Sequence, residues 1–237
     1  MTLLRGTKGG LSALASVYVF DAYGTLFDVG AAARAASQEP AFPQLIDHWP
    51  QVAANWRRKQ LEYTWLRAVA DRHCDFWQVT QDGLDWALDA AGLSEPRLRA
   101  RLLELYWELD AYPEAKATLT ALQSAGAKTA ILSNGSPKML DAAAASAGLA
   151  PHLDAVLSVE DVGVFKPHSK VYDLVCARFN CTPSDVVFVS SNGWDAAGAA
   201  GYGFETVWVN RMGDPVDRLY AHPSHIHSDL SKIPEIG

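Results

Sequence analysis

The side chains able to do chemistry fall at the ends of short apolar runs. Val17-Tyr18-Val19-Phe20 ends on Asp21, and Thr129-Ala130-Ile131-Leu132 ends on Ser133 and Asn134. Ala155-Val156-Leu157-Ser158 is followed, after a loop, by Lys166. Asp185-Val186-Val187-Phe188-Val189 leads into Ser190, Ser191, Asn192 and then Asp195. Runs of this kind read as buried strands. In open α/β sheets, ligands bind beyond the carboxyl ends of the strands. Four strand ends therefore bring a carboxylate, hydroxyls, amides and an ammonium to one place. That set suits covalent catalysis by Asp21. A buried carboxylate needs compensation, and a nearby cation such as Lys166 keeps it ionised and nucleophilic. Pro167 limits the backbone freedom of Lys166 and so helps to aim it. Thr25, four residues after Asp21, can donate its hydroxyl to the carboxylate. The plainer alternative, a turn-capping Asp21 and a surface ion pair for Lys166, is common in proteins. It does not explain why the other polar strand ends fall where they do.

These residues need a scaffold. Gly24 marks a tight turn after the first strand. From roughly Pro50 to Asp110 only helical periodicity is found, with turn signals at His73-Cys74-Asp75 and Gly92-Leu93-Ser94. A parallel α/β rhythm begins after Tyr112-Pro113. Helices are predicted from Pro113 to Gly126, from Pro137 onward, from Ser169 to Phe179, and from Trp194 to Ala200, with prolines at first turns and a C-cap glycine as signals. Thr206-Val207-Trp208-Val209 is expected to close the series of strands. Strands alternating with helices predict an α/β fold, a Rossmann-like parallel sheet with helices on both faces, plus an inserted helical cap. The expected division is a leader at 1–15, a core at 16–29 and 112–237, and a cap at 30–111.

Composition narrows the function. The 237 residues are 49% hydrophobic and 20% charged, which supports a sizeable core. With 20 Lys+Arg against 27 Asp+Glu the formal charge is −7, and no basic stripe stands out, so nucleic acid is not an expected partner. Cys74, Cys176 and Cys181 form no CxxC pair, which argues against a zinc site or a disulfide framework and fits a reducing cytoplasm. No apolar run reaches the length of a membrane span. Arg5 and Lys8 precede Leu11 to Ala15, but Gly9, Gly10 and Ser12 break the pattern of a secretory signal, so a frayed leader is expected. His222, His225 and His227 lack Cys or acidic partners in sequence and read as an edge strand rather than a metal site.

The cap helix offers one unexplained cation. Arg58 and Lys59 both have Glu62 within reach along a helix. Arg57 has only Ala53, Ala54, Gln60 and Leu61 at those spacings, and Leu61 and Trp65 continue its face. An unpaired guanidinium on an apolar stripe suggests an anion pocket. The alternative is an arginine snorkelling to water along the helix edge. Trp56, Tyr63, Trp65, Phe76, Trp77 and Trp86 are expected mostly in the cap core.

Taken together, these segments resemble a known superfamily. Phe20-Asp21-Ala22-Tyr23-Gly24-Thr25-Leu26-Phe27-Asp28 is similar to the first motif of the haloacid dehalogenase superfamily. Leu132-Ser133-Asn134-Gly135-Ser136-Pro137 resembles the second, Phe165-Lys166-Pro167 the third, and Ser190-Ser191-Asn192-Gly193-Trp194-Asp195 the fourth. Trp56 to Arg67 is similar to the cap helix of the L-2-haloacid dehalogenase branch. The resemblance spans roughly residues 16–230. Phosphatases of the superfamily carry a second Asp two residues after the nucleophile, where this chain has Tyr23. They also carry adjacent carboxylates for Mg²⁺ in the fourth motif, where this chain has Ser191 and Asn192. A hard cation on a phosphate wants several anionic oxygens, so the pattern points to a metal-free and cofactor-free dehalogenase.

The resemblance implies roles for particular residues. Asp21 would attack C2 of a short-chain L-2-haloalkanoic acid and form an ester, which water would hydrolyse to a D-2-hydroxy acid. Arg57 would receive the halide. Thr25 and Lys166 would hold the nucleophile, while Asn192 and Asp195 would place the water. Ser133, Ser190 and Tyr172 complete the expected catalytic set, with Tyr172 as a sheet-packing residue being the alternative. Ala22, Tyr23, Leu61, Phe76 and Trp194 would wall the substrate, and the backbone around Ser133 and Asn134 would hold its carboxylate. The resemblance also implies a homodimer. A phosphatase of the same fold and a non-catalytic small-anion binder are the competing readings.

Overall fold

The structure, a computed structural model, describes residues 17–236. The expected leader at 1–15 lies outside them. Strands β1 (Val17–Phe20), β2 (Lys128–Ser133), β3 (Ala155–Ser158), β4 (Val186–Ser190), β5 (Glu205–Val209) and β6 (His225–His227) form one sheet in the order β3-β2-β1-β4-β5-β6. Every neighbouring pair is parallel. All four β1 residues are buried, at 0–3% exposure. Successive strand side chains point to opposite faces, so both faces of β1 are covered by helices. Burying Val, Tyr or Phe here is worth about 1.5–3 kcal/mol each, and Phe20→Ala would cost about 3–5 kcal/mol through the cavity left behind.

The order of the strands locates the site. The chain runs from β1 outward to β2 and β3, then returns across β1 to build β4 and β5 on its other side. β1 is thus flanked by the switch in direction, where the crevice of an open α/β sheet opens. Asp21 is its next residue, and its N–H donates to Val189 O at 2.9 Å, which extends the pairing by one residue.

Between β1 and β2 the described residues form helices: α1 (Ala31–Ser37), α2 (Trp49–Ala70), α3 (Phe76–Ala91), α4 (Pro96–Tyr106) and α5 (Ala115–Ser124). α5 packs back on the sheet. The first four pack on one another around Trp56, Val79, Leu84, Leu98 and Leu102, all at most 2% exposed. Trp56 Nε1 donates to Thr80 O at 2.8 Å, and Gln60 Nε2 donates to Thr80 Oγ1 at 3.0 Å and Tyr106 Oη at 3.1 Å. The segments leading out to this layer and back from it lie side by side. Asp28 N donates to Asp110 O at 2.9 Å, and Tyr112 N donates to Leu26 O at 2.8 Å.

Helices α6 (Pro137–Ser146), α7 (Ser169–Phe179) and α8 (Gly193–Tyr202) follow β2, β3 and β4. The structure differs from the sequence expectations in four details. Asp185 belongs to a 3-10 turn, where it accepts from Thr182 N at 2.8 Å, and β4 begins at Val186. The sheet does not close at Val209: the edge strand read at His225-Ile226-His227 is β6, which pairs with β5, and His225 Nε2 lies 2.9 Å from Glu205 Oε1. Helix α1 carries no strong sequence signal. It is short, and Asp28 stabilises its start by accepting from Gly30 N at 2.9 Å and Arg34 Nη2 at 2.7 Å. Trp65 and Trp86 are not cap core, since each is 37% exposed. Trp86 lies under the cations Lys59 and Arg58 at 4.6 and 4.9 Å, and Trp65 meets Trp194 edge-on at 5.3 Å.

Candidate active site

Asp21 is 6% exposed and receives three side-chain donors. Lys166 Nζ donates to Oδ1 at 3.1 Å. Thr25 Oγ1 donates to Oδ2 at 3.1 Å, and Asn192 Nδ2 donates to the same oxygen at 2.9 Å. The turn after β1 brings Thr25 back: Thr25 N, Leu26 N and Phe27 N all donate to Ala22 O, at 3.2, 2.9 and 3.0 Å. Gly24 makes that turn possible. Its φ of +93° is a region L side chains rarely adopt, and a Cβ there would meet Ser191 Oγ at 3.0 Å. Asn192 occupies the N-cap position of α8, yet its side chain makes no capping bond. Its amide is turned to Asp21 instead.

Lys166 is fully buried between two carboxylates. Its Nζ donates to Asp195 Oδ2 at 2.9 Å as well as to Asp21. Burial alone would lower its pKa, but the charges of Asp195 and Asp21 outweigh that and hold it above the ordinary lysine value. Asp195 lies in the first turn of α8, where a helix N-terminus favours negative charge. Its burial pushes its pKa up against the opposing pull of Lys166. Tyr172 Oη donates to Asp195 Oδ1 at 2.8 Å. Gly198 permits this approach, because a Cβ there would sit 2.6 Å from Tyr172 Oη. Burial, then Asp195, keep the Tyr172 phenol well above its usual pKa, so it serves as a neutral donor. Removing one partner from a buried charge cluster of this kind costs about 3–5 kcal/mol.

Arg57 enters from the cap helix α2. Its Nη2 donates to Tyr23 O at 3.0 Å and to Asn192 Oδ1 at 3.2 Å. The guanidinium is therefore not without partners, as the sequence suggested; it finds them across the cap–core gap rather than along its own helix. Both partners are neutral, and among the described residues no ion pair to Arg57 is found. One amide, that of Asn192, links Arg57 to Asp21. Tyr23 begins an aromatic wall close to Asp21. Its ring stacks on Tyr106 at 5.6 Å and lies 5.9 Å from Phe76. Its hydroxyl is buried without a partner, and burial raises its pKa well above the usual value. No carboxylic acid stands at this position to protonate a leaving alcohol.

The family model of haloacid dehalogenase-like hydrolases matches residues 15–203. The chain belongs to this family. The chain is 43% identical over 219 residues to (S)-2-haloacid dehalogenase 1 of Pseudomonas sp. strain CBS-3, covering 92% of this chain and 94% of that one. It is 47% identical over 195 residues to the (S)-2-haloacid dehalogenase of Xanthobacter autotrophicus, covering 82% and 74%. Among solved structures, the L-2-haloacid dehalogenase of Xanthobacter autotrophicus with chloropropionic acid covalently bound superposes with a TM-score of 0.84 at 38% identity, covering 94% of this chain and 98% of that one.

In this haloacid dehalogenase-like hydrolase, most of the residues singled out in sequence converge on Asp21. Asp21, Thr25, Lys166, Asn192, Asp195, Arg57 and Tyr172 form one hydrogen-bonded network. Ser190 joins through Asn192 N, which donates to its Oγ at 3.1 Å. Ser133 accepts from Gly135 N at 3.0 Å, fixing the turn before α6. The Asn134 side-chain oxygen accepts from Lys166 N at 3.0 Å, which fixes the side chain beside Lys166. Ala22 and Phe76 are buried beside Tyr23, whereas Leu61 is half-buried one turn from Arg57. Trp194 packs on Trp65 and lines a surface groove of about 460 Å³ that also includes Phe165 and Pro167, the two neighbours of Lys166.

Four more residues support the site, three of them outside the sequence reading. Ser191 N donates to Thr25 Oγ1 at 2.8 Å and fixes the hydroxyl that serves Asp21. Tyr106 backs Tyr23. Arg211 Nη2 donates to Thr25 O at 3.1 Å while its guanidinium lies 3.6 Å over the Tyr112 ring. Glu160 reaches from the core to the cap, 2.9 Å from His73 Nε2, and accepts from Phe76 N at 3.2 Å. Ser191 was legible as part of the fourth motif. The others depend on long-range contacts that no local pattern encodes.

Proposed function

We infer that this protein hydrolyses the carbon–halogen bond of short-chain L-2-haloalkanoic acids, such as haloacetates and 2-halopropionates, giving D-2-hydroxy acids through an ester on Asp21. The carrying observation is a strand-end carboxylate with three donors around it and Tyr23 in place of a second acid. A halide leaves without a proton, so no acid is needed at that position. Lys166, Thr25 and Asn192 hold the Asp21 carboxylate with one oxygen directed at C2 of the substrate, opposite the halogen. Displacement inverts C2. The departing halide is drawn to Arg57, the cation left without a carboxylate. Water then attacks the ester carbonyl of Asp21. Asn192 and Asp195 place that water, and the raised pKa of buried Asp195 suits it to accept a proton. Backbone groups around Ala22, Ser133 and Asn134, near the start of α6, receive the substrate carboxylate. Tyr23, Leu61, Phe76 and Trp194 enclose its alkyl group.

The same reading takes residues 30–111 as a cap over the core of 16–29 and 112–237. It also makes the enzyme cytoplasmic and homodimeric. Among the described residues, no helix is long and apolar enough to cross a membrane. The homodimer is supported by an exposed apolar patch where Trp65 and Val69 of α2 meet Leu219 and Tyr220; Val69 is 90% and Tyr220 72% exposed. Isolated apolar residues are ordinary on surfaces, but a contiguous patch marks an interaction site. The test is halide release with EDTA present. (S)-2-chloropropionate should give chloride and D-lactate in equal amounts, with the R enantiomer inert. Mg²⁺-dependent release of phosphate from an aryl phosphate, with no chloride, would instead make it a phosphatase.

A further inference from the structure

The end of α7 carries a second reactive feature, one turn beyond Tyr172. Asn180 adopts the left-handed conformation, with φ 49° and ψ 49°, and terminates the helix. Cys181 N then donates back to Cys176 O at 3.3 Å. This is the Schellman way of closing a helix, in which the residues joined by that bond also bring their side chains into contact. The contact is ordinarily apolar. Here both residues are cysteines. The Cys181 thiol is raised in pKa by its burial and then by its neighbours Cys176 and Asp185. Both residues are partly exposed, so a small oxidant can reach them. Cys74 lies in the turn between α2 and α3, on the cap.

We propose that Cys176 and Cys181 form a modification site, a dithiol that a peroxide closes into an intramolecular disulfide. A backbone bond between the two residues holds their Cα atoms near each other, and a disulfide needs a separation of about 4.4–6.8 Å. One thiolate attacks a peroxide oxygen. The O–O bond breaks, the other oxygen leaves as water after taking a proton, and a sulfenic acid remains. The second thiol then attacks that sulfur, the S–O bond breaks, and a second water leaves. Two thiols and one hydrogen peroxide give one disulfide and two waters. A thiol reductant reverses the step. Closing the pair prevents further oxidation of either sulfur to the sulfinic acid, which is irreversible for most proteins.

Peroxide treatment of the full chain, followed by alkylation, trypsin digestion and mass spectrometry, tests this. Trypsin cuts after Arg178, between the two cysteines, so the disulfide joins the peptide ending at Arg178 to the one starting at Phe179. The expected result is that linked pair, with Cys74 alkylated. Free thiols should fall from three to one and return to three with reductant. In Cys176→Ser the linked pair should vanish and Cys181 should gain oxygen instead. The proposal is overturned if Cys176 and Cys181 are each alkylated or each oxygenated without linkage, or if the linkage involves Cys74. None of these readouts depends on the substrate assigned above.

Discussion

Two cations stand near Asp21, one rising from the core sheet and one reaching down from the cap, and their surroundings differ. Lys166 is buried with carboxylate oxygens at 3.1 and 2.9 Å, both within ion-pairing distance. Arg57 donates only to a backbone carbonyl and a side-chain amide, which leave its charge intact. The positive charge of Lys166 is already matched inside the protein by Asp21 and Asp195, so in the proposed mechanism it holds Asp21 and has little left for a substrate. That of Arg57 is unmatched until an anion arrives. Arginine also suits that task, since its planar donors stay charged at any working pH. Position fits the proposed mechanism: the core holds the cation assigned to Asp21, and the cap holds the one assigned to the departing halide.

The largest expected effect falls on the group both cations serve. Asp21→Asn keeps the shape but removes the nucleophile, and kcat should fall by roughly 10⁴-fold or more in a halide-release assay. Retention of a tenth of wild-type turnover would remove Asp21 from the chemistry. Arg57→Ala should lower kcat by about 10²–10³-fold, the loss typical of a donor facing developing negative charge. Arg58→Ala, one residue along, removes surface contacts with Glu62, Asn55 and the Trp86 ring and should leave kcat within about twofold. Equal losses in the two variants would erase the distinction between paired and unpaired cap arginines.

Lys166 predicts a stability profile. Its folded pKa is raised above the ordinary value by Asp195 and Asp21, although burial opposes them. A raised cation stabilises the fold fully below its unfolded pKa, about 10.4, and that stability is lost as pH climbs through the folded value. Tm measured from pH 8 to 11 should therefore hold until about pH 10.4 and fall beyond it. In Asp195→Asn the fall should be smaller and end at lower pH, because one source of the raised folded value is gone while the unfolded value is unchanged. The smallest effect is expected where the core holds the cap. Glu160→Gln weakens its contacts with His73 and Phe76 N, worth about 1–3 kcal/mol. It should raise KM more than it lowers kcat, since Arg57 and the Phe76 wall would be positioned less often. A pure kcat loss would make Glu160 part of the chemistry.

The same contrast explains what the sequence revealed. Asp21, Lys166, Asn192 and Asp195 were legible because strand periodicity is local and strand ends in a parallel sheet share one edge. The helical character of the cap and the lone status of Arg57 along α2 were also local facts. What Arg57 touches was not, because Tyr23 O and Asn192 Oδ1 come from segments 34 and 135 residues away in sequence. Glu160 and Arg211 escaped for the same reason. Helix α1 escaped because a short alanine-rich segment starting without a side-chain cap carries little signal, and Asp28 secures it only once folded. The alternation of His225-Ile226-His227 was legible as an edge strand, but its partner, the open edge of β5, was not.

The central claim is that Asp21 attacks carbon and carries the product as an ester. A single turnover of (S)-2-chloropropionate in ¹⁸O-water, with enzyme in excess, tests it most directly. Hydrolysis of the ester at its carbonyl should leave ¹⁸O in the peptide containing Asp21, while the first lactate formed carries an unlabelled oxygen taken from the carboxylate. Label in the lactate alone, with the Asp21 peptide unchanged, would contradict the account and require water to attack the substrate directly.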